Sequence, residues 1–503
     1  RTADGGTYLN VNSHQPWEGP VAWWEAHVVS EEGWDMVGGT FPGSPMILHG
    51  HNRNLGWAHT VNSPDLVDIY VLTVNSENEY QYWFAGEWRD FEVEQVKLGV
   101  RINPDSPMTM PVNREVLRSV HGPVLKQEHG TYAIRYAGMG EIGQAEQWYR
   151  MNKAANLDEW LNAMKMRTVS SLNCAYADKN GNILYLYNAS IPIRSEGYDW
   201  EQYLPGDTSD TLWTDIIPLD DLPTLLNPPS GFLQNCNASP FTATDGPGNV
   251  SESDYPASMG IETHETNRSI RALELFSVDP VIDFNEFYKY KYDTKYSPES
   301  RMAQAVRMML DGPVPDDATI KDALEVVRAW DLDTNIDNPN AGLSIVAING
   351  VVKRFTGPMP EVSELYDSLK KTAEAFMTVH GRLDPPWGDV NRIRRGNLEM
   401  GTSGGPDVLH AVYGGLQDDG ARLIGRGGDS YVLLVAWDQE GNVYSRSLHQ
   451  YGNATSVEDS PHYNDQVHLF VENRMRPVWM DELDIKNNLE RQYRHGQAVE
   501  SFD

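Results

Sequence analysis

A few groups of side chains have the types and spacing to do chemistry. Gly401-Thr402-Ser403-Gly404-Gly405 has the G-x-S-x-G spacing of a nucleophile elbow, and Pro406-Asp407-Val408-Leu409 follows as a candidate helix start. A serine nucleophile needs an imidazole, for which His449 and His462 are the candidates. The preceding Asn397-Leu398-Glu399-Met400 makes a poor buried strand, so an ordinary glycine-rich loop is the competing reading. His49-Gly50-His51 places two imidazoles on one face of a strand, which holds zinc if a third ligand converges and otherwise packs and hydrogen-bonds. Asp65 and Asp68 lie three apart in a loop after Trp57-Ala58-His59-Thr60. They could join backbone carbonyls around a hard cation such as Ca2+, or else cap and solvate the loop. The many carboxylates could supply a glycosidase acid and base beside Trp platforms, against the simpler reading of a solvated acidic surface.

These groups need a framework. With 503 residues the chain exceeds what one hydrophobic core requires, so one large or two closely packed domains are expected. A composition of 40% apolar, 10% aromatic and 22% charged residues is that of a folded globular protein, not a disordered one. The net charge of −32 repels phosphate backbones and anionic lipid, which argues against a nucleic-acid partner. The longest uncharged apolar runs, Tyr431 to Trp437 and Leu343 to Asn349, fall well short of the roughly 20 residues that cross a bilayer. Cys174 and Cys236 are too few for a disulfide framework or a Cys-based zinc site, and a single bridge between them stays open. Arg1-Thr2-Ala3-Asp4-Gly5-Gly6 shows no initiator Met, apolar signal core or basic leader, and reads as the start of a fragment cut from a longer precursor.

Short alternating runs such as Val21 to Val29, Thr131 to Tyr136 and Ile183 to Tyr187 predict half-buried strands. Asn180-Gly181 and Gly441-Asn442 predict tight turns, the first inside a hairpin from Cys174 to Tyr187. Apolar residues three to four apart predict helices over Ala145 to Arg167, Glu265 to Phe276, Ser297 to Leu310, Thr319 to Trp330 and Glu361 to Thr378. Strands, a helical insert and strands again give an α+β architecture whose last segment returns to the first sheets. Its expected parts are a β-rich core over 1–260, a helix-rich segment over 261–385 and a returning segment over 386–503. Pro/Gly-rich joints at Asn227 to Gly231, Gly312 to Asp316 and Asp384 to Gly388 mark candidate boundaries.

The opening hexapeptide, followed by Asn12-Ser13-His14-Gln15-Pro16-Trp17, resembles the segment just after the nucleophile in the β subunit of penicillin acylase-type N-terminal nucleophile hydrolases. His51-Asn52 with Trp57-Ala58-His59-Thr60-Val61, Tyr176-Ala177-Asp178 with Asn180-Gly181-Asn182-Ile183, and Gly231-Phe232-Leu233-Gln234-Asn235-Cys236-Asn237-Ala238-Ser239-Pro240 follow in the family's order. Trp387-Gly388-Asp389-Val390-Asn391-Arg392 and Ser460-Pro461-His462-Tyr463-Asn464-Asp465-Gln466 carry the likeness to the end of the chain. The wording around His14 and Val61 is more similar to the acyl-homoserine lactone and aculeacin acylase branch than to the penicillin G branch.

The resemblance implies an αββα sandwich of two antiparallel sheets with a helical insert. It implies an amidohydrolase of two chains, the separate α chain coming from the same precursor as a heterodimer partner, in a periplasmic or secreted setting. The implied substrate is an N-acylated small molecule, an N-acyl-homoserine lactone or similar aliphatic amide, with a β-lactam such as penicillin or cephalosporin as the alternative. In the family the freed first residue of the β chain, a Ser or Cys, attacks, and its own α-amine, titrating near ~8, takes the proton. Matching Thr2-Ala3-Asp4-Gly5 to the family pattern puts that nucleophile about nine positions before Arg1, outside this sequence. A non-catalytic binding relative and an α/β-hydrolase using Ser403 are the rival readings. Asn237 matches the oxyanion asparagine, Val61 the backbone N–H donor to the same oxygen, His14 a histidine beside the nucleophile, and Arg268 an arginine that holds the asparagine and the substrate region. Gln15, His49, His59, Trp148 and Leu172 fall at substrate-pocket positions. Asp65, the carbonyl of Val67 and Asp68 match a structural calcium loop, although a third carboxylate position reads Met259 and a further ligand belongs to the α chain. No organic cofactor is implied.

Overall fold

A computed structural model describes residues 1–104, 106–353 and 356–494. Its organising element is the strand Tyr431–Trp437, buried at every position. A strand of that kind needs cover on both faces, and its side chains divide with period two. Tyr431, Leu433, Val435 and Trp437 pack with Leu9, Val11, Leu48 and Ala58, whereas Val432 and Leu434 pack with Ile393, Tyr292 and Phe470. Its sheet has four strands, Thr7–Val11, Tyr431–Trp437, Val443–His449 and Arg476–Pro477, all antiparallel. The opening residues of the chain are thus paired with its closing strands, and Thr7–Val11 forms an edge.

The facing sheet has seven strands in the order Thr224–Leu226, Ile183–Ala189, Ser171–Asp178, Leu55–Thr60, His49–His51, Trp34–Thr40 and Trp24–Ser30. Every pairing in it is antiparallel. Leu48, Ala58 and Ala177 point to the first sheet. On the other face Trp57, Tyr176 and Leu184 pack against Met151, Trp160 and Met164 of the helices Gln144–Lys153 and Leu157–Met164. Outside the first sheet, Phe284 and Phe287 of helix Phe284–Lys291 and Val467 and Phe470 of helix Val467–Val471 complete the layers. The order helix, sheet, sheet, helix is the expected αββα sandwich of α+β class.

The helices Arg301–Asp311, Ala318–Ala329, Ala341–Asn349 and Val362–His380 build a core of their own. Ala341–Asn349 is buried nearly all round, so its sequence shows no helical periodicity and reads only as a short apolar run. The stretch expected to be one helix from Ala145 to Arg167 is two, because Asn156 breaks it and caps the second by accepting from Glu159 N. Both predicted turns form: Ala177 pairs with Ile183 and Trp437 with Val443, with Gly181 and Gly441 at φ of 90° and 82°. Cys174 and Cys236 are free thiols. Among the described residues no helix is long and apolar enough to cross a membrane.

Candidate active site

A cavity of about 660 Å3 opens beside the edge strand Thr7–Val11. Trp23, Phe41, Leu48, Ala58, Trp148 and Leu172 give it apolar wall, and His14, Gln15, Val61, Asn173, Asn235, Asn237 and Arg268 give it polar wall.

Asn237 sits at φ 60°, a left-handed conformation that asparagine tolerates better than most residues. The turn is held by Asn235, whose Oδ1 accepts from Asn237 N (3.1 Å), Asn173 Nδ2 (3.2 Å) and the Thr60 hydroxyl. Tyr185 OH in turn donates to Asn173 Oδ1 at 2.7 Å. So aimed, Asn237 Nδ2 donates to Val61 O at 2.9 Å, which brings the two expected oxyanion residues together at the cavity wall. One N–H of the Asn237 amide is used there, and the group carries a second.

Behind Asn237 lies a buried chain of charges. Thr266 and Ser269 form a capping box at the start of helix Asn267–Val278, and Thr266 Oγ1 also donates to Cys236 O at 3.1 Å. The helix start therefore fixes Arg268 against the asparagine turn. Arg268 Nη2 donates to Asn237 Oδ1 (3.0 Å), Nε to Asp407 Oδ1 (3.0 Å) and Nη1 to His14 Nδ1 (3.4 Å). Burial opposes the guanidinium charge, but neighbouring Tyr413 and Asp407 outweigh it, and the pKa lies above the ordinary arginine value. With His14 Nδ1 accepting from Arg268, its proton resides on Nε2, which donates to Asp429 Oδ1 at 3.1 Å. Burial, aided by the Arg268 charge, lowers His14 to about 4, so it is neutral at pH 7. Both ring nitrogens are thereby engaged. His14 was expected to orient a nucleophile; within this chain its ring bridges Arg268 and Asp429.

Asp429 collects four donors: His14 Nε2, Asn12 Nδ2 (2.9 Å), His410 Nδ1 (2.8 Å) and Lys291 Nζ (2.6 Å). Burial alone would raise its pKa, and Lys291 with the two imidazoles holds it well below the usual carboxylate range.

On the apolar side, Trp148 Nε1 donates to His59 Nε2 at 3.3 Å. That puts the His59 proton on Nδ1, 3.3 Å from Cys174 Sγ, and burial lowers the ring to about 4. His59, Trp148, Leu172 and Gln15 all line the cavity. His49 does not: it stacks behind Trp23 with ring centroids 4.0 Å apart, and its Nδ1 lies 3.0 Å from Ser13 Oγ.

Other expectations meet different geometry. Ser403 is buried in a loop whose neighbour Gly404 bonds Thr334 O and Trp387 Nε1, and turns, not a helix, follow Pro406. His449 bonds Trp23 O, and exposed His462 pairs with Asp465 and Glu490. A strand, Leu398–Gly401, does lead into the spacing, but no helix follows it, so the strand-turn-helix unit that makes an elbow work is incomplete. His51 bonds Asn52 O and Ser445 Oγ and does not converge with His49 on a metal position. Asp65 and Asp68, expected to hold calcium with the Val67 carbonyl, instead face Arg194. The donor set does not fit the ion, because both Asp68 oxygens receive N–H groups, from Arg194 and from Trp213 Nε1 at 2.6 Å.

The sequence reading missed Asn173, Asn235, Asp407, His410, Asp429 and Lys291. Asn235, two residues before Asn237, carried an Asx-turn signal in its spacing. Asp429 and Lys291 carried none, since they meet only through tertiary pairing.

A profile of the family described as Penicillin amidase matches residues 1–487. The chain belongs to this family of amide-hydrolysing enzymes. It is similar to the acyl-homoserine lactone acylase PvdQ of Pseudomonas fluorescens, 23% identical over 97% of this chain and 68% of that protein. It is 30% identical to penicillin G acylase of Escherichia coli over 45% of this chain and 25% of that one. A solved thermostable penicillin G acylase from Alcaligenes faecalis shares the fold, with a TM-score of 0.70, 20% identity and coverage of 98% of this chain and 97% of that chain.

Proposed function

We propose that this chain is the larger part of an acylase that hydrolyses the amide of an N-acylated small molecule, with an N-acyl-homoserine lactone or a similar aliphatic amide as substrate. The observation that carries the reading is the contact of Asn237 Nδ2 with Val61 O at the cavity wall. In this reading the second Asn237 N–H and the Val61 N–H serve one carbonyl oxygen, which the proximity of the two residues supports. The apolar wall of Trp23, Phe41, Leu48, Trp148 and Leu172 suits an acyl chain, whose burial contributes about 0.8 kcal/mol per CH2. The similarity to PvdQ over nearly the whole chain favours a lactone-bearing amine.

The nucleophile in this reading is a terminal Ser or Cys upstream of Arg1, brought in by a segment that pairs with the edge of Thr7–Val11. Its hydroxyl or thiol attacks the amide carbon and its α-amine takes the proton. Asn237 and Val61 N–H stabilise the tetrahedral oxygen, the α-ammonium protonates the departing amine, and water releases the acid from the acyl-enzyme. Arg268, braced by Asp407 and His14, keeps Asn237 aimed. A separate α chain and a periplasmic or secreted setting belong to the same proposal. A β-lactam amide is the second reading, favoured by the stretch shared with the Escherichia coli penicillin G acylase.

The test is Asn237→Ala in the full-length protein, with free acid released from acyl-homoserine lactones followed by liquid chromatography. Turnover is expected to fall about 100-fold or more. Unchanged turnover overturns the assignment.

A further inference from the structure

We infer that the Arg194 guanidinium is the resident cation of the Asp65–Asp68 loop and positions the segment that carries Val61. This rests on the role given above to Val61. The Arg194 side chain is only 1% exposed, and it reaches both carboxylates. Nη2 donates to Asp68 Oδ1 at 3.0 Å, Nε lies 3.4 Å from Asp68 Oδ2, and Nη1 is at an ion-pair distance of 3.0 Å from Asp65 Oδ2. Its remaining reach goes to Ser258 O at 3.4 Å, and its plane lies over the Trp200 ring at 5.3 Å.

Calcium needs six to eight oxygen ligands free of competing protons. Here Asp68 is fully committed to N–H donors, and a divalent ion placed between these carboxylates would meet a positive charge already there. The position at which the resemblance implies a third carboxylate is Met259, 3% exposed. Beside it Gly260, at φ 58°, approaches so closely that a Cβ on it would stand 2.7 Å from Asp65 Cβ. Among the described residues no cluster of three or more His, Cys, Asp or Glu could hold a metal.

The guanidinium has a further consequence for the site. Asp65 is the downstream anchor of the segment that starts at Val61. Upstream of it, Asn62 Nδ2 donates to Asn188 O and Ser63 N to Glu262 Oε1, each at 3.0 Å. Arg194 completes that set of tethers, so the main chain at Val61 is held by a covalently attached cation that no chelator removes.

The test compares the thermal midpoint of the full-length protein in millimolar EGTA and in millimolar CaCl2, then repeats turnover in Arg194→Gln and Arg194→Lys. The expected result is one midpoint in both buffers. In Arg194→Gln the midpoint falls by about 3–5 °C, as removal of one partner from a buried ion pair implies. In that variant kcat falls while KM holds within about twofold, and Arg194→Lys recovers part of both losses. A midpoint that drops in EGTA and returns with CaCl2 overturns the inference, even if the glutamine variant does not fold. An unaltered kcat in folded Arg194→Gln overturns the positioning role. Should Asn237→Ala prove fully active, the acylase reading fails while the chelator result still stands.

Discussion

Replacing Asp429 by Asn changes one charge and almost no volume. The carboxylate offers two oxygens to four N–H donors, and a carboxamide offers one oxygen and adds a donor of its own. Lys291, 4% exposed with Nζ 2.6 Å from the lost charge, is left buried and unpaired. Breaking such a pair costs about 3–5 kcal/mol. Unfolding entropy of about 2.1 cal/mol/K per residue makes 1 kcal/mol worth roughly 1 °C in a chain of this length, so the midpoint falls by about 3–5 °C. Turnover falls too, because His14 loses its acceptor and with it the brace on Arg268. Calorimetry at pH 7 on Asp429→Asn, Lys291→Met and the double variant isolates the cause. Removing the stranded ammonium should return about 2 kcal/mol as coupling between the two sites. A single variant as stable as the parent, or a double variant less stable than Asp429→Asn, refutes the electrostatic account.

Ser403→Ala should leave acid release within about twofold of the parent, because the candidate imidazoles His449 and His462 are engaged with other partners; loss of all activity would restore the elbow. Trp148→Ala removes both apolar wall and the bond to His59, and should shift the preferred acyl chain longer, read as kcat/KM across a series of chain lengths. A preference unchanged by that substitution would remove Trp148 from the acyl wall. Burial lowers His14, His51, His59, His121 and His449 to about 4, whereas in the unfolded chain they titrate near ~6.5. Their contribution is whole above pH ~6.5 and is lost as pH falls toward 4, at up to about 1.4 kcal/mol per unit for each group. The midpoint should fall steeply between those values, and a flat profile would contradict the buried neutral histidines.

The α+β class was legible because several strands alternate and two turns carry Asn-Gly or Gly-Asn pairs, signals local to the chain, whereas the αββα layering was accessible only through the family resemblance. Ala341–Asn349 was not legible, since burial on all sides erases the periodicity that marks a helix. Asn237 and Val61 were accessible through short ordered motifs. The residues that hold them were not: Asp407 lies 139 residues from Arg268, and Arg194 lies 126 residues from Asp68. Such pairings arise from sheet register and helix docking, which no window of sequence contains. The Gly401–Gly405 spacing shows the converse, a motif present without the geometry that gives it meaning.

Pairing of Thr7–Val11 with Tyr431–Trp437 has a temporal side. During synthesis the opening strand must wait for more than four hundred residues before its neighbour emerges. Closing so long a loop makes folding slow, and the His14 to Asp429 bond forms only at that moment. An incomplete nascent chain therefore lacks both the pairing of Thr7–Val11 and the charge chain that ends on Asp429.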